Sequence, residues 1–330
     1  MSRGFANFLK HRLLQVLPVV LGIALLNFLV LQLAPGDVVD VLAGEAGAAT
    51  PESMAALRAQ FGLDRPMLAQ LGSYLWNLAH LDLGFSYRQN MPVLELIVTR
   101  LPATLLLMGL ALTIALALGT LLGTLTALKP GGWFDHVVSV LVLFAYAMPT
   151  FWLGLMGLVL FAGKLGWLPA GGMRTVGLDQ GAWAQVADIA RHAVLPALTL
   201  STFYLAVYAR LMRGSMIETL SADFIRTARA KGASEPRVLI AHALRNAAVP
   251  LVTMLGYQVA SLLSGAVLVE SVFSWPGLGR LAFEAILARD FNLLLGILLL
   301  SSLLVTVINI AVDLVTVLID PRVELQGARA

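Results

Sequence analysis

The side chains able to do chemistry are few here, and their spacing does not suit catalysis. There is no cysteine, so neither a disulfide framework nor a thiolate metal site is available. The five histidines, His11, His80, His136, His192 and His242, stand singly, with no pair at metal-ligand spacing. No protein-held metal is expected. A phosphate loop of the form G-x-x-x-x-G-K-[ST] is absent, so the chain cannot cradle ATP by that route and is not expected to hydrolyse it. Two carboxylates stand inside long apolar runs, Glu270 and Asp313, the second sharing a helix face with Asn309 at i, i+4. Such groups near span ends are more often helix-packing or snorkelling devices than parts of a proton path. The densest chemistry is cationic: Arg210, Arg213, Arg226, Arg229, Lys231, Arg237 and Arg245 cluster around Ser221 to Asn246.

The elements that must carry these residues are set by composition. Of 330 residues, 59% are hydrophobic and 12% charged, against ~25% charged in ordinary soluble domains. That excludes a water-soluble enzyme. The net charge of +3 is dispersed, without the aromatic-interleaved basic patch of a nucleic-acid binder, so no nucleic acid is expected. A helix needs ~20 apolar residues to cross a bilayer. Five stretches qualify: Leu13 to Gly36, Leu101 to Leu128, Val137 to Gly163, Asn246 to Val269, and Phe291 to Val312, the last running on to Ile319. A sixth, Ala193 to Ala209, is shorter and holds Pro196, with Arg191, His192 and Arg210 at its ends. The first is too long for the ~7 to 15 residue core of a cleaved signal peptide and is read as retained. The fold class is therefore all-α integral membrane with six transmembrane helices.

Lys and Arg near span ends place both termini and the cationic cluster in the cytoplasm, and membrane lipid around the spans. The chain then divides into residues 1–36, N-terminus and first span; 37–100, an external helical loop; 101–320, a core with spans two to six and the loop 213–246; and 321–330, a cytoplasmic tail. In the external loop, Thr50 can cap a helix that starts at Pro51 and ends at Gly62. A second begins near Pro66, with Leu68, Leu71, Leu75 and Leu78 on one face. "DLGFS", Asp82 to Ser86, then turns the chain towards a short helix, Pro92 to Arg100. This loop either shields span ends or docks a partner.

Pro149, Pro196 and Pro250 can bend spans and free carbonyls. Gly119 and Gly123 form a small-xxx-small pair that admits a neighbouring helix. The uncharged polar residues Tyr146, Thr150, Tyr204, Tyr208, Tyr257, Gln258, Ser261 and Ser264 are candidates to line a pathway. In the cationic loop, Ser221 can cap a helix of about three turns, Ala222 to Lys231, that Gly232 ends in a left-handed conformation. A second helix, Arg237 to Asn246, leads into span five. Small residues in the first helix would let its backbone sink into a groove on another protein; a headgroup anchor is the alternative.

"RTARAKGASEPRVLIAHALRNAAVP", Arg226 to Pro250, resembles the signature loop of ABC importer permeases, in the form of the dipeptide, oligopeptide and nickel permease family. The resemblance extends over nearly the whole chain, through "LAPGD", "LDLGFSY", "LPATLLL", "FDH", "MPTFWLG", "GWLPAGG", "HAVLPALTL", "ARLMRGSM", "VESVFSWPGLGR", "ARDF" and "NIAVDLVTVLIDPR". It implies a type I importer fold, binding-protein-dependent, in the inner membrane. It also implies that the short helix is a coupling helix docking into a cytoplasmic ATPase, with Asp223, Arg226, Thr227, Ala228, Ala230, Lys231, Gly232 and Ala233 at the contact. The general motif begins Glu-Ala-Ala where this chain has Arg226, Thr227 and Ala228. The partners implied are a homologous second permease in a heterodimer, two ATPase subunits that hold ATP and Mg, and an external solute-binding protein. The implied cargo is short peptides, or else nickel chelates, glutathione or another small solute. An ion-coupled secondary transporter is a distant alternative, since both intramembrane carboxylates lie near span ends.

Overall fold

The computed structural model describes residues 3–33, 39, 50–60, 62–177 and 181–319, with side chains 3–13, 15, 256, 257, 260, 264, 265, 313 and 315–319 left aside. "LAPGD" beyond Leu33, the boundary at 36/37, Asp320 to Arg322 and the tail 321–330 lie outside the described residues, as do the side chains of His11, Tyr257, Ser264 and Asp313.

The described residues are mostly helical, with one short hairpin among them. In order come α1 (Arg3–Leu33), α2 (Pro51–Gln60), α3 (Met67–Ala79), β1 (Phe85–Ser86), β2 (Met91–Pro92), α4 (Val93–Leu128), α5 (Trp133–Ala147) and α6 (Thr150–Gly157). α6 runs on through a π-helical turn, Leu158–Lys164. Then follow α7 (Ala182–Ser221), α8 (Asp223–Ala230), α9 (Val249–Val272), α10 (Leu278–Leu287) and α11 (Phe291–Ile319). Among the described residues five helices are long and apolar enough to cross a membrane, and six if the bent pair α5 and α6 with its π turn counts as one span. This is the six-span arrangement expected.

Backbone chemistry explains the breaks. Met148 and Pro149 are both extended, as a residue before proline must be, and the pair α5/α6 bends there by 104°. Pro250 sits in the first turn of α9, where its missing N–H leaves no bond unmade. Pro196 lies inside α7, which continues past it; the expected short span is part of a helix of 40 residues. Ahead of α9, Glu235–Arg237, a π-helical Val238–Leu244 and Arg245–Ala247 form one winding run rather than the plain helix expected from Arg237.

The described residues form two compact units, those within 1–99 with 282–306, and those within 100–281 with 307–319. In the first, the Ser53 N–H bonds to Thr50 Oγ1 and Gly62 takes φ +67, so α2 is capped and ended as its sequence predicts. On α3, Leu71, Leu75 and Leu78 are half-buried with Tyr74, whereas Leu68 is exposed. "DLGFS" makes a turn through the Gly84 N–H to Asp82 Oδ1 bond, and then β1 pairs antiparallel with β2. The expected separate helix at Pro92 is instead the start of α4, because proline fits its edge strand and Val93 onward meets no break. Ser86 donates to Asp290, whose other oxygen caps the N–H of Leu293 at the start of α11. Asn27 of α1 donates to the Leu295 carbonyl at 3.1 Å. "LDLGFSY" and "ARDF" thus meet.

The second unit holds the larger core, from Leu107 and Ala111 on α4 through Leu200, Tyr208 and Met212 on α7 to Leu262 and Trp275. Gly119 and Gly123 are what lets α4 touch α7. A Cβ on Gly119 would lie 2.7 Å from Tyr208 Cβ, and one on Gly123 would lie 2.5 Å from the Ala209 carbonyl oxygen. The small-xxx-small pair is a backbone contact.

Candidate functional site

The cationic loop is built on α8. α7 runs unbroken to Ser221, whose hydroxyl donates back to the Glu218 carbonyl at 2.7 Å. Ser221 therefore satisfies the C-terminus of α7 and does not cap the next helix, contrary to expectation. Ala222 alone, extended at φ −71 and ψ 150, separates the two helices. α8 has eight residues, shorter than the three turns expected, and Lys231 is its C-cap. Gly232 follows at φ +81, the left-handed residue its sequence predicts.

One side of α8 is anchored and the other is free. Ile225 is fully buried in the core of the second unit, and Ala228 and Ala233 are half-buried against that core. Asp223, Arg226, Thr227, Ala230, Lys231 and Gly232 are exposed. The sequence-derived contact set is thus one outward face plus two alanines turned partly inward. Phe224, which sequence reasoning passed over, is 46% exposed beside Asp223. A large apolar ring left open on a charged helix was the available signal. Arg229 forks onto Glu235, Nε to Oε1 at 2.8 Å and Nη2 to Oε2 at 3.1 Å, closing the turn across Gly232. The Glu235 carboxylate raises the Arg229 pKa further above its ordinary value.

Among the described residues the pathway candidates fall into one connected line and three outliers. Tyr146 of α5 stacks on Phe203 of α7 at 5.0 Å, Phe203 meets Tyr204 edge-on at 5.3 Å, and the Tyr204 and Ser261 hydroxyls are 3.2 Å apart. Arg210 lies 4.2 Å above the Tyr146 ring, a cation–π contact. Phe203, the middle of this line, was not singled out by sequence, because a lone aromatic in an apolar span carries no pattern. Tyr208 is fully buried, and its hydroxyl has no hydrogen-bond partner among the described residues. Gln258 is buried too, and Thr150 is half-buried at the start of α6.

Glu270 is a structural hub. Its carboxylate, 0% exposed, accepts the Thr104 hydroxyl at 2.7 Å and the Arg280 N–H at 3.0 Å. It holds the first turn of α10, where Gly277 packs against it so closely that a Cβ would collide. Trp275 donates its indole N–H to the Ala103 carbonyl at 2.9 Å. Among the described residues no group of His, Cys, Asp and Glu could hold a metal ion. His192, for one, spends Nδ1 on the Asp188 carbonyl of its own helix.

A series of long apolar helices, with an anchored but outward-facing short helix between two of them, defines a multi-pass membrane protein of the type I ABC importer permease fold. Residues 119–325 match the family described as binding-protein-dependent transport system inner membrane component, and residues 5–108 match its N-terminal counterpart. The chain belongs to this family: it is an ABC importer permease, and ATP hydrolysis belongs to partner subunits. It is 41% identical over 334 aligned positions to the dipeptide transport system permease protein DppB of Escherichia coli K12, covering 96% of this chain and 98% of that one. It is also 41% identical over 312 positions to a protein of Brucella abortus strain 2308 named for peptide transport system permease activity, covering 94% and 97%. Among solved structures, the inward-facing MetNI methionine ABC transporter shares the fold, with a TM-score of 0.53, 19% identity, and 68% of this chain and 97% of that chain covered.

Proposed function

We propose that the chain forms one half of the translocation pathway of an ATP-driven importer for short peptides. It pairs with a homologous permease, receives cargo from an external solute-binding protein, and docks α8 into one of two cytoplasmic ATPase subunits that hold ATP and Mg. The observation that carries the reading is α8 itself. Ile225 fixes the helix to the core while Asp223, Phe224, Arg226, Thr227, Ala230 and Lys231 face outward. Both termini and this loop lie in the cytoplasm in this reading, where the surrounding Lys and Arg favour them. Residues 37–100 form the external loop, 101–320 the core and 321–330 the tail.

The geometry supports a mechanical route. α7 is one helix of 40 residues joined to α8 through Ala222. A shift of α8 caused by closure of the ATPases is passed along α7 to the Phe203, Tyr204 and Arg210 line and moves the spans between inward-open and outward-open states. The spans leave selectivity to the binding protein.

Peptide cargo is supported by the names of the relatives at 41% identity. The test is ATP hydrolysis by the complex, reconstituted in lipid with its ATPases and binding protein, against di- to pentapeptides, glutathione and nickel-histidine. Stimulation by peptides supports the reading. Stimulation by the nickel complex or glutathione alone overturns the cargo assignment.

A further inference from the structure

Asp135 opens α5 and Arg213 stands near the end of α7, and the two form a bidentate ion pair. Arg213 Nε donates to Oδ1 and Nη2 to Oδ2, both at 2.7 Å. The same carboxylate accepts the Gly131 N–H at 2.9 Å and the Ser139 hydroxyl at 3.3 Å. Its side chain is 5% exposed and that of Arg213 is 34% exposed. A planar fork on a saturated carboxylate fixes both distance and orientation, as a point charge does not.

Its place in the bundle gives the pair a task. Asp135 and Gly131 belong to the corner where α4 turns into α5. At the same level α4 touches α7 through Gly123, whose Cβ position lies 3.0 Å from the backbone N of Arg213. α7 is therefore gripped at one point by a glycine contact and by a charged fork. From that point it runs unbroken to Ser221, with only Ala222 before α8. In the other direction, α5 ends at the 104° bend into α6. Counted only as one of the basic residues near a span end, Arg213 would be an inside-facing charge for lipid headgroups. The pair commits it to Asp135 instead.

We propose that the Asp135–Arg213 pair is the link through which displacement of α8, carried along α7, is passed to α5 and the bend at Pro149. Both are assigned as positioning residues, acting through α7 and α5. The proposal rests on the reading of α8 as the ATPase-docking helix. The fork fixes both distance and orientation between the two side chains, so a rotation of α7 at Arg213 carries the start of α5 with it.

The test uses the complete transporter in proteoliposomes, with Asp135→Asn, Arg213→Lys and the exchanged pair Asp135→Arg/Arg213→Asp. Three quantities are read: disulfide formation between Thr227→Cys and the ATPase, ATP hydrolysis, and substrate moved per ATP hydrolysed. The single variants should keep the disulfide and hydrolyse ATP while substrate moved per ATP falls about tenfold, the scale of a typical coupling free energy. The exchanged pair should recover part of that ratio, because the charge pairing returns while the Gly131 N–H and Ser139 hydroxyl lose their acceptor. A wild-type ratio in both single variants overturns the proposal, and so does a parallel loss of hydrolysis and transport with no recovery on exchange. If no variant assembles, the pair is a folding element and the proposal falls. A Thr227→Cys chain with Asp135 and Arg213 intact that forms no disulfide overturns the docking reading instead, and removes the route proposed here.

Discussion

The Thr104 hydroxyl donates to the Glu270 carboxylate at 2.7 Å across 166 positions of sequence, and its oxygen accepts the Leu278 N–H at 2.7 Å. Two motifs distant in the chain, "LPATLLL" and "VESVFSWPGLGR", are thus one structural joint. An intramembrane carboxylate whose sequence context favoured packing over a proton path is engaged by named donors at the start of α10.

Thr104→Val removes a donor to Glu270 and strands the Leu278 N–H, both buried. A loss of about 2 kcal/mol is expected, seen as a lower thermal midpoint in detergent. Thr104→Ser, which keeps the hydroxyl, should stay near wild type.

Gly123→Ala pushes a methyl to 2.5 Å from the Ala209 carbonyl oxygen, whereas Gly109 on the same helix has nothing within 4 Å of its Cβ position. The first should cost about 1–3 kcal/mol through overpacking and reduce the yield of monodisperse protein. Gly109→Ala should not. Equal behaviour of the two would refute the close approach of α4 to α7.

Neighbouring residues on α8 should separate stability from docking. Ile225→Ala empties a fully buried site and should cost about 2–4 kcal/mol. Phe224→Ala should leave the thermal midpoint alone and lower retention of the ATPase subunit during co-purification.

Gly232→Val places a β-branched residue at φ +81, where its Cβ meets nothing within 4 Å. The cost is backbone strain of about 1–2 kcal/mol, enough to unwind the end of α8 without disturbing insertion. Assembly should survive while substrate-stimulated ATP hydrolysis is lost.

Much of this was legible in the sequence because it depends on local rules. The existence of the spans, the Thr50 cap, the turns at Gly62 and Gly232, the break at Pro149 and the glycine pair of α4 all follow from residue type and spacing. What distant residues do to one another was not legible, since Thr104 with Glu270, Ser86 with Asp290, and Asp135 with Arg213 meet only in the packed chain. Arg213 shows the limit clearly: an orientation rule counts it as one charge among many, and packing gives it a single partner. Ser221 misled for a local reason. A serine at the junction of two helices can serve the end of one or the start of the next, and only the extended Ala222 decides.

Docking of α8 is the central claim, and a disulfide tests it most directly, since the chain has no native cysteine to compete. Cysteines would be placed at Thr227 and, in a separate chain, at Trp183, which is 87% exposed at the other end of α7. Each would be paired with cysteines around the cleft of the ATPase subunit. Thr227→Cys should cross-link to the ATPase in the assembled complex and Trp183→Cys should not. A cross-link from Trp183→Cys with none from Thr227→Cys would contradict both the docking role of α8 and the orientation proposed for the chain.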